Sequence, residues 1–420
     1  MTSFRSSQPT LEAPLYVNEA FRGYYNKLGR ARLRGVVRNP AIPADLLRQL
    51  VDTHFEEIRV YLSLRQDWTD EQFGALAAHP DCAVRELLAQ APNLTPELRA
   101  RLVEDPEPKV LRALAVGPEW LFSWPWEPPP SVLPAWAYER LLERRPNLKP
   151  FLIDCPWLPP DLQSRLTADV QSQLSSAGST SPRVDDAGDP QLPADLVARL
   201  AEDPSPAVRL TVSMRPELSE EQRAAINYYV GPDDRIRPAR WAIDTRDPQV
   251  QRRCAFSAHI GLRRSVACNQ HLTPELVAVL ADDDDFAVRL LLCEHQPDLA
   301  SETVLRTYLE ATTINRGKLL SHPSLRRVGL ARLADSPDPQ ARALAVLDPE
   351  AAPQLIDQLS NDPHPMVRGW MASDPRLSAG RLLELFEDPA TTEAAAANPC
   401  LPAPVMHAVL AEATGGLEAQ

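Results

Sequence analysis

The 420-residue sequence has few cysteines and contains neither a long apolar run nor a motif for a known type of catalysis. Its six cysteines lie far apart, which indicates a reduced, cytoplasmic protein rather than one held by disulfides. No segment approaches the roughly 18 consecutive apolar residues of a membrane span, and the first residues lack the apolar core of a signal peptide. Because no nucleophile–base pair, phosphate-binding glycine loop or paired-carboxylate pattern stands out, we predict a non-catalytic protein without a cofactor.

Positive charge is also in deficit, with 44 basic residues against 57 acidic ones and a net charge of −13. This balance argues against a protein whose whole surface binds nucleic acid or an anionic membrane. Proline is abundant by contrast, since the 43 prolines are about twice the ordinary usage. Most of them recur at a fixed phase, so we interpret them as starts and stops of helices.

One pattern of 26 residues is written three times, in residues 94–119, 192–217 and 351–376. Leu, Asp-Pro and Val stand at the same phase in the three copies, and Arg follows the Val in the second and third. A fixed period of this length predicts a solenoid, in which each unit stacks on its neighbours.

Each copy predicts two short helices. In the first copy Thr95 is a good N-cap and Pro96 suits the first helical position, while Asp105 and Pro106 repeat the same signals for a second helix. Pro118 ends that second helix. Two helices of this length cannot bury their apolar faces alone, so the units must stack.

The spacing of the copies divides the chain into four segments. Residues 1–38 form a loose arm and a degenerate capping repeat, and residues 39–174 an N-terminal array with a Trp/Pro-rich insertion at 118–131. Residues 175–191 are small and polar, as in a linker or a long loop. Residues 192–420 form a C-terminal array with a terminal cap.

The phrase D-P-x-x-x-V-R followed by apolar residues and a proline, as in residues 203–216 and 362–375, resembles the leucine-rich repeat variant family and more loosely HEAT-like repeats. This resemblance implies an all-α, right-handed α-solenoid of two-helix repeats of about 24–29 residues, in which the second helix is in places 3-10. One member of that family holds an iron–sulfur cluster on N-terminal cysteines. We do not expect that cluster here, because the first cysteine of this sequence is Cys82.

Arginines recur at one phase of the repeats, and an acid stands six residues before several of them. The pairs are Asp203 and Arg209, Asp247 and Arg253, Asp283 and Arg289, and Asp362 and Arg368. We interpret them as a structural ladder of hydrogen bonds between units, in which each aspartate also caps its own helix. A row of free guanidinium groups along a groove is the alternative.

Cysteines and histidines come near one another at Cys254, Cys268, His271, Cys293 and His295. Cys268 and Cys293 should stack in adjacent units, where helices lie about 8–10 Å apart. Thiolates that share one zinc ion must each lie about 2.3 Å from it. We therefore predict small core residues and no metal site.

Three stretches are candidates for binding a partner. Trp120, Trp124 and Trp126 lie among prolines in the insertion, where they either pack back on the array or contact a protein. Residues 20–44 contain six basic and no acidic residues, as in a solvated cap or an anion or partner surface. Residues 235–264 contain an arginine cluster with Trp241 and Phe256 interleaved, which consists of Arg235, Arg237, Arg240, Arg246, Arg252, Arg253, Arg263 and Arg264.

Two functional hypotheses follow from these stretches. The first is a scaffold that binds a protein or peptide along its concave face. The alternative is a nucleic-acid-binding solenoid centred on residues 235–264, since arginines with interleaved aromatic residues combine phosphate contacts with base stacking. Glycosylase activity, known among HEAT-like solenoids, is a more distant third hypothesis, because no matching catalytic constellation is present.

Overall fold

The structure of the protein is a computed structural model that describes residues 19–117, 133–149, 152, 158–159, 161–164, 192–231, 234, 236–312 and 316–415. Throughout these ranges the regular structure is α or 3-10 helix and no strand occurs, which confirms the predicted all-α class. None of the helices in these ranges combines the length and the apolar character that crossing a membrane requires. The chain divides into two compact units.

The first unit begins with α1 (Glu19–Arg38), α2 (Ala44–Ser63), α3 (Asp70–Ala77), α4 (Cys82–Gln90), α5 (Pro96–Ala100), α6 (Pro108–Val116) and α7 (Ala135–Arg144). The second unit contains α8 (Ala194–Ala201), α9 (Pro206–Ser213), α10 (Glu220–Ala225), α11 (Arg240–Asp244), α12 (Pro248–Ala255), α13 (Ile260–Ala267), α14 (Pro274–Ala281), α15 (Phe286–His295), α16 (Ser301–Glu310) and α17 (Arg316–Leu319). The first unit resumes with α18 (Pro339–Ala343), α19 (Pro353–Leu359), α20 (Pro365–Ala372), α21 (Ala379–Glu387), α22 (Thr392–Ala396) and α23 (Ala403–Gly415). Turns of 3-10 helix lie at Arg101–Glu104, Pro146–Leu148, Leu330–Leu333 and Leu344–Leu347.

The copy that begins at residue 94 shows the two predicted helices of a repeat. Its first helix is α5, where the Thr95 hydroxyl accepts a hydrogen bond from the Leu98 N–H and Pro96 takes the first position. Its second helix is α6, which ends at Gly117, a residue with φ of 75°. Apolar residues of both helices, such as Leu98 and Val110, are buried. First helix and second helix have this meaning for every repeat below.

Arginines on the second helices tie each repeat to the next. Arg85 on α4 donates to both carboxylate oxygens of Asp105, from Nε at 2.7 Å and from Nη2 at 3.2 Å. Arg342 on α18 makes the same pair of bonds with Asp362, at 2.7 and 2.9 Å. In both cases the carboxylate lies 20 residues after the arginine and belongs to the following repeat. These bidentate, charge-assisted bonds form the ladder that the sequence predicts between units.

The partners within the ladder differ from the predicted ones. Arg368 donates to the backbone oxygen of Asp362, at 3.0 Å, and not to its carboxylate, which Arg342 occupies. The Asp362 carboxylate also accepts the N–H of His364, the N-cap residue of its own second helix, at 2.8 Å. Further bonds of the same two kinds join Arg209 to the backbone oxygens of Asp203 and Asn227, Arg289 to the backbone oxygen of Asp283 and the carboxylate of Glu310, and Arg368 to the carboxylate of Asp388.

A second set of polar side chains, most of them buried, which the sequence analysis missed, lies where the second helices end. The last carbonyl groups of a helix have no partner inside that helix. Asn398, which is fully buried, donates to two such groups of the preceding repeat, the carbonyls of Ala372 at 2.9 Å and Asp374 at 2.8 Å. Its own Oδ1 accepts the N–H of Cys400, at 2.8 Å.

We call this set the polar spine. Its members are Asn39, Arg65, Asn93, Arg376 and Asn398 in the first unit, and Asn269, Gln296 and His322 in the second. Each donates to a backbone carbonyl of the repeat before it. Several members stand directly before a proline of the repeat, as in Asn39-Pro40 and Asn398-Pro399, and this is the signal that would have revealed them in the sequence.

The two ends of the described chain meet in the first unit. Helix α23 is a first helix, and α1 packs against it and against α22 in the place that a second helix takes. Asn39, at the end of α1, donates to the carbonyls of Ala396 and Asn398, at 3.0 and 2.6 Å. These bonds repeat those that Asn398 makes one repeat earlier. Helices α1 and α23 therefore form one repeat from both ends of the sequence, which we call the composite repeat.

The compact units follow the stacking rather than the predicted arrays. Residues 330–415 belong to the first unit together with the N-terminal repeats, whereas the sequence analysis grouped them with residues 192–329. The predicted linker at 175–191 and the insertion at 118–131 lie outside the described residues.

The ladder predicts a large difference between two arginines of the same sequence phase. Arg85→Ala should lower the free energy of unfolding by about 3–5 kcal/mol, because it leaves the buried Asp105 carboxylate without its partner. Arg59→Ala should change it by at most about 0.5 kcal/mol, because Arg59 is exposed and pairs loosely with Glu56 at 3.6 Å. Urea denaturation followed by circular dichroism measures both values, and equal losses would show that the ladder contributes little.

Candidate functional site

The members of the predicted arginine cluster that the structure describes lie in the second unit, on α11 to α13, in the turns between them and just before α11. Two of its members hold the fold together. Arg263 is a ladder residue, with Nε 2.7 Å from the Asp283 carboxylate. Arg264 is 1% exposed and is held by the Asp285 carboxylate, at 2.8 Å from both Nε and Nη2. These two guanidinium groups are therefore committed to neighbouring repeats.

Two further candidates are engaged at the surface or in the core. The exposed Arg252 pairs with Glu275, at 2.6 Å, and lies over the ring of Phe256, 5.0 Å from its centre. Trp241 packs against the core of the second unit and donates from Nε1 to the carbonyl of Met214, at 2.9 Å. Arg237 is exposed and has interactions of its own, and Arg235 lies outside the described residues.

Arg253 corrects another expectation, since it takes no part in the ladder. It lies on α12, which is a first helix, because the ladder bond of this repeat comes from Arg263 on α13. Asp247, its predicted partner, is the N-cap of α12 and accepts the N–H of Gln249 at 2.8 Å. Three arginines of the cluster are consequently exposed without an ion-pair partner in the part of the chain that the structure describes, and we call them the free arginines: Arg240, Arg246 and Arg253.

A pocket of about 200 Å³ opens between α10, α11 and α12, and Arg253 is part of its wall. Its apolar wall consists of Pro216, Leu218, Trp241, Val250, Phe256 and Leu262, and its polar groups come from Ser219, Glu220, Arg223, Arg253, Cys254 and Ser257. Pockets for small molecules usually measure about 300–1,000 Å³. The α10–α12 pocket is smaller than that range, and its size suits a single apolar side chain.

The charged residues at the pocket are Glu220, Arg223 and Arg253. Glu220 accepts hydrogen bonds from the Ser257 hydroxyl, at 2.9 and 3.0 Å, so its carboxylate is already satisfied. Arg223 is 5% exposed and donates to the carbonyls of Ser213 and Arg215, while its Nε lies 3.5 Å from Glu220 without a hydrogen bond. Burial lowers the pKa of Arg223. Arg223 and Arg253 together give the pocket two cations against the single carboxylate of Glu220.

Ser213 and His259 lie next to this region and are hydrogen-bonded at 2.8 Å, which resembles part of a catalytic dyad. The proton positions exclude that role. Nδ1 of His259 accepts the N–H of Gly261, so Nε2 carries the proton and donates it to Ser213, whose own hydroxyl donates to Leu210. His259 therefore cannot remove the Ser213 proton, and both side chains are almost fully buried.

The cysteines of this unit are core residues. Burial raises the pKa of Cys254 to about 11 and the pKa values of Cys268 and Cys293 to about 12, so these thiols are protonated at neutral pH. Among the described residues no three His, Cys, Asp or Glu side chains are grouped so that they could hold a metal ion. The acidic run 282–285 is structural, since Asp283 and Asp285 accept the bonds of Arg263 and Arg264.

Trp120, Trp124 and Trp126 lie outside the described residues, so their role as partner-binding residues stays a prediction. Compared with known proteins, the chain matches no family, no curated protein and no solved structure. The resemblance to the leucine-rich repeat variant family therefore depends on the repeat motif alone.

His259 predicts a pH dependence of stability. Its burial and the nearby Arg223 lower its pKa from 6.5 to about 4, so the folded protein binds fewer protons than the unfolded chain between these values. The contribution of His259 to the free energy of unfolding should therefore be fully present above pH 6.5. It should fall by up to about 3 kcal/mol as the pH is lowered to 4. Denaturation at a series of pH values should show a smaller fall for His259→Gln than for the parent. The exposed His407→Gln is the control, and an unchanged slope in the His259 variant would contradict the assignment.

Proposed function

We propose that the protein is a non-catalytic repeat scaffold that binds an acidic segment of a partner protein at the α10–α12 pocket. An apolar side chain of the segment enters the pocket, and acidic residues beside it pair with the free arginines. The observation that carries this proposal is the combination of one small apolar pocket with Arg253 in its wall, an exposed cation without a partner in the described structure. We also infer that the repeats are of the leucine-rich repeat variant type and that the protein is cytoplasmic.

The chemistry of the pocket favours a protein segment over a small molecule or cofactor. A volume of about 200 Å³ leaves room for one side chain but not for a drug-sized ligand. Phe256 is 56% exposed at the pocket, so its ring offers a large apolar surface to a partner. Arg252 lies over this ring and restricts its orientation. Exposed aromatic and arginine side chains of this kind are the residues that contribute most to protein interfaces.

Charge complementarity favours an acidic segment. Arg253 and the buried Arg223 are the two cations of the pocket wall, against the single carboxylate of Glu220. An acidic segment at the pocket gains from these two cations, whereas a basic segment would be repelled by them.

The same contacts speak against the alternative of nucleic-acid binding. Of the arginines that the alternative invoked, Arg263 and Arg264 are occupied by Asp283 and Asp285, and Trp241 packs into the core. Stacking on a base requires an exposed aromatic face, and of the two aromatic residues of the cluster Phe256 has one, over which Arg252 already lies. Binding to a phosphate backbone requires several free cations in a row. Of the free arginines, Arg253 alone lines the pocket, and one free cation beside an apolar pocket provides a poor surface for that polymer.

Fluorescence anisotropy with labelled nine-residue peptides tests the proposal. We expect saturable binding when Leu, Phe or Trp is flanked by Asp and Glu, and at least about tenfold weaker binding when the central residue is Ala, which corresponds to about 1.4 kcal/mol. Arg253→Glu and Phe256→Ala should each weaken binding by a similar factor. Arg326→Glu, an exposed arginine of the same unit, should leave binding unchanged.

The same assay includes a 20-nucleotide single strand at 50 and 200 mM salt. Under the proposal it binds no more tightly than a lysine-flanked peptide. Tight oligonucleotide binding that weakens steeply with salt and is lost in Arg240→Glu/Arg246→Glu/Arg253→Glu, without binding of the acidic peptides, would establish the alternative function instead.

A further inference from the structure

The composite repeat joins two surfaces that lie far apart in the sequence. Helix α23 lies after residue 402 and α1 ends at residue 38, yet they pack together as the two helices of one repeat. The polar spine passes through this junction without interruption, from Asn398 to Asn39 and then to Arg65. The junction therefore has the construction of an internal repeat boundary and not that of a cap.

Backbone contact at the junction is too close for an arbitrary helix. A Cβ atom on Gly35 would overlap the backbone oxygen of Glu393 and the Cβ of Ala396. Any helix that takes the place of α1 must therefore carry glycine where it crosses α22. The close approach to α22 is therefore one requirement that α1 meets through Gly35.

Ion pairs between α1 and the C-terminal helices are a second requirement at the junction. Arg32 donates to Glu387 at 2.7 Å and to Glu412 at 3.4 Å, and its guanidinium group lies over the Phe386 ring. Arg38 donates to Glu393 at 2.8 Å. Two of the six basic residues of the stretch 20–44, Arg32 and Arg38, thus pair with carboxylates of the C-terminal helices of the same chain.

We propose that this junction also forms between two copies of the chain, with α1 of each copy completing the repeat of α23 in the other. The junction is heterologous, because the N-terminal surface of α1 and the C-terminal surface of α22 and α23 are different and complementary. Surfaces of this kind can be paired within one chain or exchanged between copies with the same contacts. Within one chain the two ends meet at high effective concentration, so closure in the same chain prevails in dilute solution.

Charge reversal at one end separates exchange from closure. The first variant carries Arg32→Glu and Arg38→Glu, and the second carries Glu387→Arg, Glu393→Arg and Glu412→Arg. Each variant repels its own partner end, but in an equimolar mixture the acidic α1 of the first faces the basic helices of the second, and the remaining two ends match as in the parent. We expect the mixture to form an assembly with twice the 46.6 kDa mass of one chain, measured by light scattering on a sizing column. Each variant alone should melt at a lower temperature than the parent.

Two controls complete this test. A single chain with all five reversals should regain the melting temperature of the parent and stay monomeric, whereas Gly35→Leu in both variants should abolish the assembly. If the mixture keeps the mass of one chain while the five-fold variant recovers, the junction forms only within a chain and the proposal is overturned. It is equally overturned if neither recovers, because the charge pairs then do not select α1.

Circular dichroism establishes whether the multiple variants retain the helical content of the parent. If they do not, the single pair Arg38→Glu and Glu393→Arg replaces them, because both side chains are more than a third exposed and their reversal does not bury a charge. The expected and contradicting masses are the same for this pair.

Discussion

The constraint on which this structure depends is that carbonyl groups at the ends of short buried helices must find donors. A helix of eight residues leaves half of its carbonyls without a partner inside the helix. In this protein donors come from the following repeat, as an asparagine, glutamine, histidine or arginine of the polar spine, and from the same repeat, as the Nη1 group of a ladder arginine. Each repeat thus completes the hydrogen bonding of its neighbour, which is why single repeats are not units of folding.

This dependence explains which arginines are free to act. Arg263 and Arg264 stand side by side with Arg253 and Arg252 in the same short stretch of sequence, but they lie on a second helix, where the neighbouring repeat occupies them. Arg253 lies on a first helix, out of reach of any ladder acid. Arg253 has the sequence spacing of a ladder arginine but lies on a first helix, and it is there that it contributes to the candidate site.

The same constraint accounts for the packing of α1 on α22 and α23. The first helix α23 and the second helix α1 each present a face of the kind that packs against the other helix within a repeat. Asn39 makes for Asn398 the bonds that Asn398 makes for Asp374, so the composite repeat satisfies both ends by the ordinary rule of the stack. Arg32, Arg38 and Gly35 then restrict which helix is accepted.

The sequence by itself determined the helical class, the period and the position of most helices, because caps such as Thr95 and Asp247 and prolines after them act locally along the chain. It also indicated that repeated arginines and aspartates bond between repeats. Only the tertiary structure decided that Arg342 and not Arg368 holds the Asp362 carboxylate, that Arg253 is free and Arg264 is buried, and that α1 lies on α23. These outcomes depend on which side chains meet across a repeat boundary. The spacing of residues along one sequence does not give the distances between side chains of neighbouring repeats.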